Sequence, residues 1–481
     1  MKYLATIGLE VHVQLLTATK MFCACPAGYG SAENSQVCPV CLGYPGALPV
    51  INEEAIRLTV LTGLMLGSKI NHFSKFDRKN YFYPDMPKNY QISQYDCPLC
   101  AGGALEIVCG GQAKRVSLTR IHLEEDVGKN MHLGNMSSVD FNRAGHPLME
   151  VVTEPDMHSP EEALAFLQAL KQILTYGLIS RCNLEEGNVR CDINCSVRPE
   201  NQTQLGVKAE IKNLNTFKGV FMALQHEIVR QTEILKSGGV IVQETRRWDS
   251  ERGVTENMRS KEEAHDYRYF PDPDLLPVVL NEGQIELWKQ DIPELPRQRC
   301  ERIMSQYGIP EYDAKVLSAD KAIADFFEEA AGLSANAKAV SNWVMTEMLR
   351  LLAEKEMEIR AAKVTPRALA ELVRLAESGK VNSNSAKQIF AVMFEKGGSP
   401  EQLLGELGLG QVSDAAELEK LAAKAVADNP KSAADYRGGK EAALKHLVGQ
   451  VMRLSRGKAN PQIVQELLKK KLSGSSGGRN N

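Results

Sequence analysis

GLEVHVQL, residues 8–15, is the stretch that decides the fold, because apolar and polar side chains alternate through it without interruption. The odd positions from 9 to 15 are all Leu or Val, while Glu10, His12 and Gln14 occupy even positions. A period of two residues predicts a β-strand with one buried face and one polar face. A carboxylate and an imidazole two positions apart also suit a divalent metal, although a simply solvated face has the same pattern.

The residue totals limit the class of protein. A chain of 481 residues is too long for one hydrophobic core, so we expect several domains. A net charge of -3 excludes a protein that is basic throughout, so any contact with nucleic acid must be local. The N-terminus meets Glu10 before a signal-type apolar stretch develops, and the longest apolar run, near residues 58–67, is too short to span a bilayer. We therefore expect a cytoplasmic protein without membrane contact, whose eleven cysteines are reduced.

The secondary-structure signals change near residue 296. Before it, strands such as 189–197 mix with a few helices, one of which is marked by Ser159 as N-cap, Pro160 at its first position and Gly177 as its stop. After it, nearly every segment has helical periodicity. This order predicts an α+β fold with a sheet in the N-terminal part and helices in the rest.

Four cysteines have the spacing of a metal site. Cys23 and Cys25 form a C-x-C pair, and Cys38 and Cys41 form a C-x2-C pair twelve residues later. Two short pairs joined by a Gly/Ser/Asn loop predict four thiolates around Zn²⁺. Since sulfur would fill all four positions, the zinc would be structural; the alternative is four reduced, partly buried cysteines.

Carboxylates recur on other predicted strands. Glu124 and Glu125 approach a turn, and Glu150 lies in an otherwise apolar strand, where it would be costly to bury without a partner. Together with Glu10 and His12 they provide the oxygen-rich ligand set, with one imidazole, in which Mg²⁺ can bind. This cluster is a hypothesis drawn from the alternation alone.

Two further strands carry acids and bases in alternation. The polar face of residues 188–197 carries Arg190, Asp192 and Asn194, and that of 206–215 carries Lys208, Glu210 and Lys212. A hairpin of these strands would line one sheet face with charge. That face could be a ladder of weak cross-strand ion pairs, or a surface for phosphates and metal as phosphoryl transfer requires.

Residues 75–95 interleave basic and aromatic side chains. The basic residues are Lys75, Arg78, Lys79 and Lys88, and the aromatic ones are Tyr81, Phe82, Tyr83, Tyr90 and Tyr95. Such a stretch attracts a single-stranded nucleic-acid end or a nucleotide base, although core aromatics are the alternative for some rings. The stretches 244–249, with Arg247, and 258–277, with Lys261, continue the pattern. No P-loop or dinucleotide-binding glycine motif is present, so a sheet would have to hold any ATP.

Many ordered blocks of the sequence together resemble one family. They include KMFCAC, KFDRKNYFYPDMPKNYQISQY, PLMEVVTEPD, KAEIKNLNTF and DYRYFPDPDL. The chain resembles the B subunits of bacterial aspartyl/glutamyl-tRNA(Asn/Gln) amidotransferases as far as about residue 472. This resemblance implies a catalytic cradle related to glutamine synthetase, with a largely antiparallel sheet, followed by helical domains. The boundaries we expect are a cradle at 1–293 with a zinc-binding insertion at 23–41, a helical domain at 294–405, a tRNA-binding tail domain at 406–472 and a disordered tail at 473–481.

The resemblance also implies an activity. In this family an amidase (glutaminase) partner releases ammonia from glutamine, and a small third protein completes the complex. The B subunits use ATP to activate the side-chain carboxylate of Glu-tRNA(Gln) or Asp-tRNA(Asn) before ammonia attacks. We then expect Mg²⁺ at the carboxylate cluster, zinc at the four cysteines, and a second, nucleotide-bound Mg²⁺ at Asp192 and Glu210. The expected catalytic residues are Glu10, His12, Glu124, Glu125, Glu150, Lys79 and Lys88; the expected nucleotide-binding residues are Arg190, Asp192, Lys208, Glu210, Lys212 and Arg247.

Two other functions fit parts of the sequence. A stand-alone ligase of the glutamine synthetase kind would amidate a small amino acid without tRNA, but would leave the helical C-terminal part without a task. A zinc-containing adaptor that binds tRNA would have no chemistry of its own. Residues 431–472 carry ten Lys or Arg against three Asp or Glu, a local charge of +7 that favours contact with tRNA phosphates.

Overall fold

The computed structural model describes residues 2–183, 186–260, 267–409, 415–455 and 459–473. The chain divides into two compact units, Met1–Pro296 and Arg297–Asn481. The residues of the expected disordered tail after 473, and the basic residues Lys261 and Arg456, lie outside the described residues. Among the described residues, none of the helices combines the length and the apolar character that a membrane span requires.

The first unit is built on a large sheet, beside which β9 with β10 and β3 with β17 form two separate pairs. The strands of the unit are β1 (Tyr3–Gln14), β2 (Lys69–Ile70), β3 (Phe73–Ser74), β4 (Asp77–Asn80), β5 (Tyr90–Ser93), β6 (Cys100–Ala101), β7 (Ala104–Cys109), β8 (Gln112–Glu125), β9 (Lys129–Leu133), β10 (Met136–Asp140), β11 (Pro147–Thr153), β12 (Val189–Pro199), β13 (Ala209–Lys212), β14 (Glu244–Asp249), β15 (Val254–Ser260), β16 (Phe270–Pro271) and β17 (Val278–Val279). Its helices are α1 (Glu53–Met65), α2 (Pro160–Tyr176), α3 (Phe217–Lys236) and α4 (Glu282–Lys289).

The sequence 8–15 lies in the middle of this sheet. The main strand order is β15-β14-β13-β12-β1-β11-β8-β5-β4-β16, and β1 pairs antiparallel with both β11 and β12. His12 therefore stands opposite Glu150 on one side and Arg190 on the other. β13 and β14 are a parallel pair, and α3 connects them. The sheet is otherwise largely antiparallel, as the family resemblance implied.

The apolar face of β1 belongs to the core. Leu9, Val11 and Val13 are buried in one apolar cluster with residues of α1, α2 and α3. α2 begins as predicted: the Ser159 hydroxyl accepts a hydrogen bond from the Glu162 N–H, with Pro160 at the first position. Because helices cover this face, the even positions of β1 are left on the other face, where the candidate site lies.

The second unit is helical in its described residues. Its helices are α5 (Pro296–Tyr307), α6 (Glu311–Leu317), α7 (Lys321–Gly332), α8 (Ala337–Trp343), α9 (Leu349–Glu354), α10 (Pro366–Glu377), α11 (Ser383–Lys396), α12 (Pro400–Glu406), α13 (Ala415–Asp428), α14 (Pro430–Arg437), α15 (Glu441–Leu454) and α16 (Pro461–Ser473), with a π-helical turn at Val344–Met348 and a 3-10 turn at Ile359–Ala361. One apolar core lies among residues 303–409 and a second among 418–472. The predicted α+β class is confirmed.

Candidate active site and metal clusters

Strand register places most of the predicted site residues on one face of the sheet, which we call the polar face. Successive side chains of a strand alternate between faces, and residues in register share a face. Asp192 stands opposite Glu10, Asn194 opposite Glu210, and Lys212 opposite Arg247. The predicted hairpin-like pairing of β12 with β13 is therefore present, and it brings together acids and bases that lie far apart in the sequence.

Three of the predicted ligands converge at the centre of the polar face. His12 Nε2 lies 3.6 Å from Glu124 Oε1 and 3.5 Å from Glu150 Oε2. All three ligand atoms lie within 4.8 Å of one another. Glu124 is 3% exposed, and such a buried carboxylate is costly without a cation. The two carboxylate oxygens and one imidazole nitrogen fit a divalent cation, and we call these three residues the carboxylate cluster.

The charges of the cluster act on one another. Burial opposes protonation of His12, but the hydrogen bond to Glu150 and the charges of Glu124, Glu150 and Asp192 outweigh it and raise the pKa of His12 to about 9. Burial likewise opposes ionisation of Glu150, yet His122 and His12 hold the pKa of Glu150 well below its usual value. The His12 shift shows that the surrounding carboxylates stabilise a positive charge at this point, and the Glu150 shift shows that the two histidines stabilise its carboxylate.

His122 is a fourth member of this neighbourhood, and the sequence reasoning missed it. It is 3% exposed, and its Nε2 lies 3.3 Å from Glu150 Oε2. Its Nδ1 is buried and has no hydrogen-bond partner among the described residues. Counting back two residues from Glu124 along β8 would have found it, because residues i and i+2 of a strand share a face.

Glu10 and Glu125 lie outside the group of ligand atoms that converges here, so the described residues bring together three members of the predicted five-residue metal site. Glu10 Oε1 accepts a hydrogen bond from Asn194 Nδ2 at 2.9 Å and lines a neighbouring cavity of about 290 Å³ with Thr153 and Lys208. Glu125 follows Glu124 directly along β8, so its side chain leaves the sheet on the opposite side. The roles of Glu10 and Glu125 as Mg²⁺ ligands stay predictions.

Lys88 and Glu125 form an ion pair on the side of the cysteines. Lys88 Nζ contacts Glu125 Oε1, which also accepts a hydrogen bond from the Ile92 N–H at 2.9 Å. Both side chains line a cavity of about 80 Å³ together with Cys23 and Cys41. The structure thus separates Lys88 from Lys79, with which the sequence analysis grouped it.

Lys79 lies beside the carboxylate cluster. Burial disfavours its charged form, but the negative charges of Glu124 and Glu150, with Tyr267 and Tyr269, raise its pKa. Its Nζ lies 4.9 Å from the centre of the Tyr267 ring. Lys79 is therefore a cation held next to the cluster.

An ammonium group already occupies the space between Asp192 and Glu210. Lys212 Nζ lies 2.7 Å from Asp192 Oδ2 and 3.1 Å from Glu210 Oε1. Burial lowers the pKa of Lys212, but these two carboxylates raise it overall. The side chains have the arrangement of a cross-strand ion-pair ladder, which was the alternative to the second Mg²⁺ site predicted at Asp192 and Glu210.

Arg190 is tied to a carboxylate that was not among the predictions. Its guanidinium lies 2.6 Å from Asp126 Oδ1, and Arg143 Nε lies 3.4 Å from Asp126 Oδ2. Burial raises the pKa of Asp126, but Arg190 and Arg143 outweigh it and lower the pKa to about 2. Arg190 therefore serves first to balance a buried charge. Lys208 is exposed before β13, and Arg247 is half exposed and pairs with Glu256 at 3.0 Å.

The four cysteines form the second cluster. Their Sγ atoms all lie within 4.8 Å of one another, and those of Cys38 and Cys41 are 3.9 Å apart. Zn–S bonds of about 2.3 Å place tetrahedral sulfur ligands about 3.8 Å apart, so these residues fit zinc. A hydrogen bond with Cys23 is the main cause that lowers the pKa of Cys41 to about 4; burial opposes it, and the Lys20 charge supports it.

Lys20 is the residue of this cluster that the sequence did not reveal. It is 1% exposed, and its Nζ lies 3.7 Å from Cys41 Sγ and 3.3 Å from the Phe141 carbonyl oxygen. A buried ammonium next to a thiolate balances part of its charge. No pattern around Lys20 distinguishes it from a surface lysine, so only the structure could reveal it.

Known proteins similar to this chain agree with the family resemblance of the sequence. The family model "GatB/GatE catalytic domain" matches residues 5–286, and the "GatB domain" matches 325–472. The B subunit of the aspartyl/glutamyl-tRNA(Asn/Gln) amidotransferase of Thermoanaerobacter pseudethanolicus is 52% identical over 474 residues, which cover 98% of this chain and 100% of the relative. The protein of the same name from Carboxydothermus hydrogenoformans is 51% identical over 477 residues, which cover 98% of this chain and 99% of the relative. The protein of the same name from Moorella thermoacetica is 49% identical over 476 residues, which cover 98% of this chain and 100% of the relative.

Proposed function

Because this chain belongs to the B subunits of the aspartyl/glutamyl-tRNA(Asn/Gln) amidotransferases, we propose that its polar face activates the side-chain carboxylate of glutamate or aspartate carried by a mischarged tRNA. ATP supplies the phosphoryl group, and ammonia from a glutaminase partner then forms the amide. The activity is that of a carbon–nitrogen ligase with glutamine as amido donor. The observation that carries the proposal is the convergence of His12, Glu124 and Glu150 at the centre of the sheet.

The carboxylate cluster would hold magnesium, which when bound neutralises negative charge between the reacting carboxylate and the phosphates. The chain's own residues position the reactants around it. Lys79 places a second positive charge beside the cluster, where it can neutralise an oxygen of the transferring phosphoryl group. On the β13–β14 side, Lys208 and Arg247 are exposed cations that suit the remaining phosphates of the nucleotide.

The reaction needs no nucleophile from the protein. An oxygen of the substrate's side-chain carboxylate attacks the γ-phosphorus of ATP, and the bond to ADP breaks, with its electron pair leaving on ADP. Ammonia then attacks the acyl carbon of the mixed anhydride, loses a proton and expels phosphate, which leaves the amide. The task of the polar face is therefore to orient charged groups and to stabilise charge in the transition state.

The remaining parts of the chain support binding. We propose zinc at the four cysteines as a structural ion, since four sulfur ligands leave no position for water. We also propose that α15 and α16 contact tRNA, because Lys445, Arg453, Lys469 and Lys470 are exposed there. The amidase (glutaminase) and the small third protein of the same complex are the proposed protein partners. The proposed tail domain, 406–472, contains the second apolar core of the helical unit.

ATP hydrolysis by the reconstituted complex tests this function. We expect hydrolysis to depend on Glu-tRNA(Gln) or Asp-tRNA(Asn), to be nearly abolished by Glu124→Gln, and to be unaffected by Glu200→Gln, which changes an exposed carboxylate of the same unit. Hydrolysis that uses free glutamate as well as the tRNA ester would favour the stand-alone ligase. Amidation that continues normally in Glu124→Gln would favour the adaptor.

A further inference from the structure

Four tyrosines of the first unit form a continuous group of rings, which we call the aromatic cluster: Tyr81, Tyr95, Tyr267 and Tyr269. The Tyr95 and Tyr269 rings are stacked, with centroids 4.2 Å apart and planes at 10°. Tyr267 meets Tyr269 edge to face at 6.0 Å, and Tyr81 meets Tyr267 at 6.4 Å. Tyr95 is 54% exposed although Tyr269 covers one of its faces, from which we infer that its other face is open within the described part of the chain. Packing of the core does not explain such an open ring.

The aromatic cluster adjoins the carboxylate cluster. Ser93, the last residue of β5, has its Oγ 3.5 Å from Glu124 Oε2, and Tyr95 follows two residues later. Lys79 links the two groups, because its Nζ lies 4.9 Å from the Tyr267 ring and strand register places it on the same face of the sheet as Ser93 and Glu124. A planar ligand on Tyr95 would therefore lie next to the reacting groups.

The two sides of the polar face differ in chemistry. On the β12–β14 side acids and bases alternate, and the exposed cations Lys208 and Arg247 suit phosphates. On the β4–β5 side the rings of the aromatic cluster lie beside the cation Lys79, and these groups suit a base and its adjoining backbone. The reaction brings together two ligands that each carry a nucleoside, ATP and the aminoacyl end of tRNA, so each side can receive one of them.

We propose that the open face of Tyr95, supported by Tyr269, stacks on the terminal base of the tRNA that carries the amino acid. This inference rests on the proposed function. The amino acid is esterified to the ribose of that base, so anchoring the base beside the carboxylate cluster leaves its side chain within reach of the cluster. Stacking on a ring needs no hydrogen bond to the base, so it fixes the position of the end without reading the tRNA sequence.

A fluorescent base at the tRNA end tests the proposal in the complete complex. 2-Aminopurine replaces the terminal adenine, and its fluorescence is quenched when it stacks. We expect quenching with the wild type and with Tyr29→Leu, a control that changes a more exposed ring outside the aromatic cluster. Tyr95→Leu should lose the quenching and raise the KM for the aminoacyl-tRNA roughly tenfold, with the KM for ATP unchanged. Tyr95→Phe should behave like the wild type.

The outcomes separate the inference from the proposed function. Unchanged quenching in Tyr95→Leu overturns the stacking site, and a raised KM for ATP instead assigns the ring to the adenine of ATP, which also overturns it. Amidation by the wild type without quenching refutes only the stacking site. Absence of ATP-dependent amidation in the wild type refutes the proposed function instead. Equal melting temperatures of the variants establish that Tyr95→Leu is folded.

Discussion

Replacing Glu150 by glutamine removes one negative charge from the carboxylate cluster and keeps the shape of the side chain. Glu150 Oε2 lies 3.5 Å from His12 Nε2 and 3.3 Å from His122 Nε2, so this carboxylate is the point at which both imidazoles meet. An amide cannot balance their charge or bind a divalent cation as strongly. We therefore expect the substitution to weaken metal binding and to slow tRNA-dependent amide formation.

The size of the effect follows from the position of Glu150. One lost charge-stabilising contact at a transition state costs about 3 kcal/mol. Since about 1.4 kcal/mol corresponds to a factor of ten, the rate of amide formation should fall at least about a hundredfold. Glutamine hydrolysis by the glutaminase partner uses none of these residues and should stay largely intact.

The assay compares single-turnover amide formation with glutamine hydrolysis in the same reconstituted complex. Glu154→Gln is the matched control, because Glu154 follows β11 directly and is a more exposed carboxylate that accepts a hydrogen bond from Thr119 at 2.7 Å. We expect near-normal rates for it in both reactions. If Glu150→Gln formed the amide at a rate close to that of the wild type, while retaining its melting temperature, the role assigned to the carboxylate cluster would be refuted.

Three further predictions concern the cysteine cluster and the helical tail. The purified chain should contain about one zinc, and Cys38→Ser with Cys41→Ser should release it and lower the melting temperature of the first unit; metal analysis that finds no zinc without chelator contradicts this. Lys20→Met should lower zinc affinity, measured by competition with a chelator, while Lys2→Met, an exposed lysine, should not; equal affinities would show that the buried charge is irrelevant to zinc. Replacing Lys445, Arg453, Lys469 and Lys470 by glutamine should weaken tRNA binding and flatten its dependence on salt by up to about 0.9 in log–log slope per lost phosphate contact. If the salt dependence of tRNA binding has the same slope for the variant and the wild type, these residues form an ordinary solvated surface that does not contact tRNA.

The sequence predicted those features of the fold that depend on local patterns. The alternation in 8–15 predicted a strand with Glu10 and His12 on its polar side, and Ser159-Pro160 predicted the start of α2; both are present. The cysteine spacing predicted a four-sulfur cluster, and the four sulfurs are close together. In each case the signal lies within one short stretch of sequence, so the prediction does not depend on which distant segments pair.

The features that escaped prediction depend on pairing between distant segments. β1 lies between β11 and β12, and no local signal states this order. The partner of Asp126 is Arg190, and Lys212 stands between two acids, because strands from distant parts of the chain meet in one particular register. Glu125 is different, since strict alternation along β8 already places its side chain on the other side of the sheet from that of Glu124.

Transfer of labelled oxygen tests the central claim, activation of the substrate carboxylate by ATP on the polar face, most directly. Glu-tRNA(Gln) with ¹⁸O in both side-chain carboxylate oxygens is converted by the reconstituted complex with ATP and glutamine, and the released phosphate is analysed by mass. The phosphate that leaves the acyl carbon must take one carboxylate oxygen with it, so we predict one ¹⁸O per phosphate and one in the amide. Phosphate without ¹⁸O, at a normal yield of amide, would contradict phosphorylation of the carboxylate.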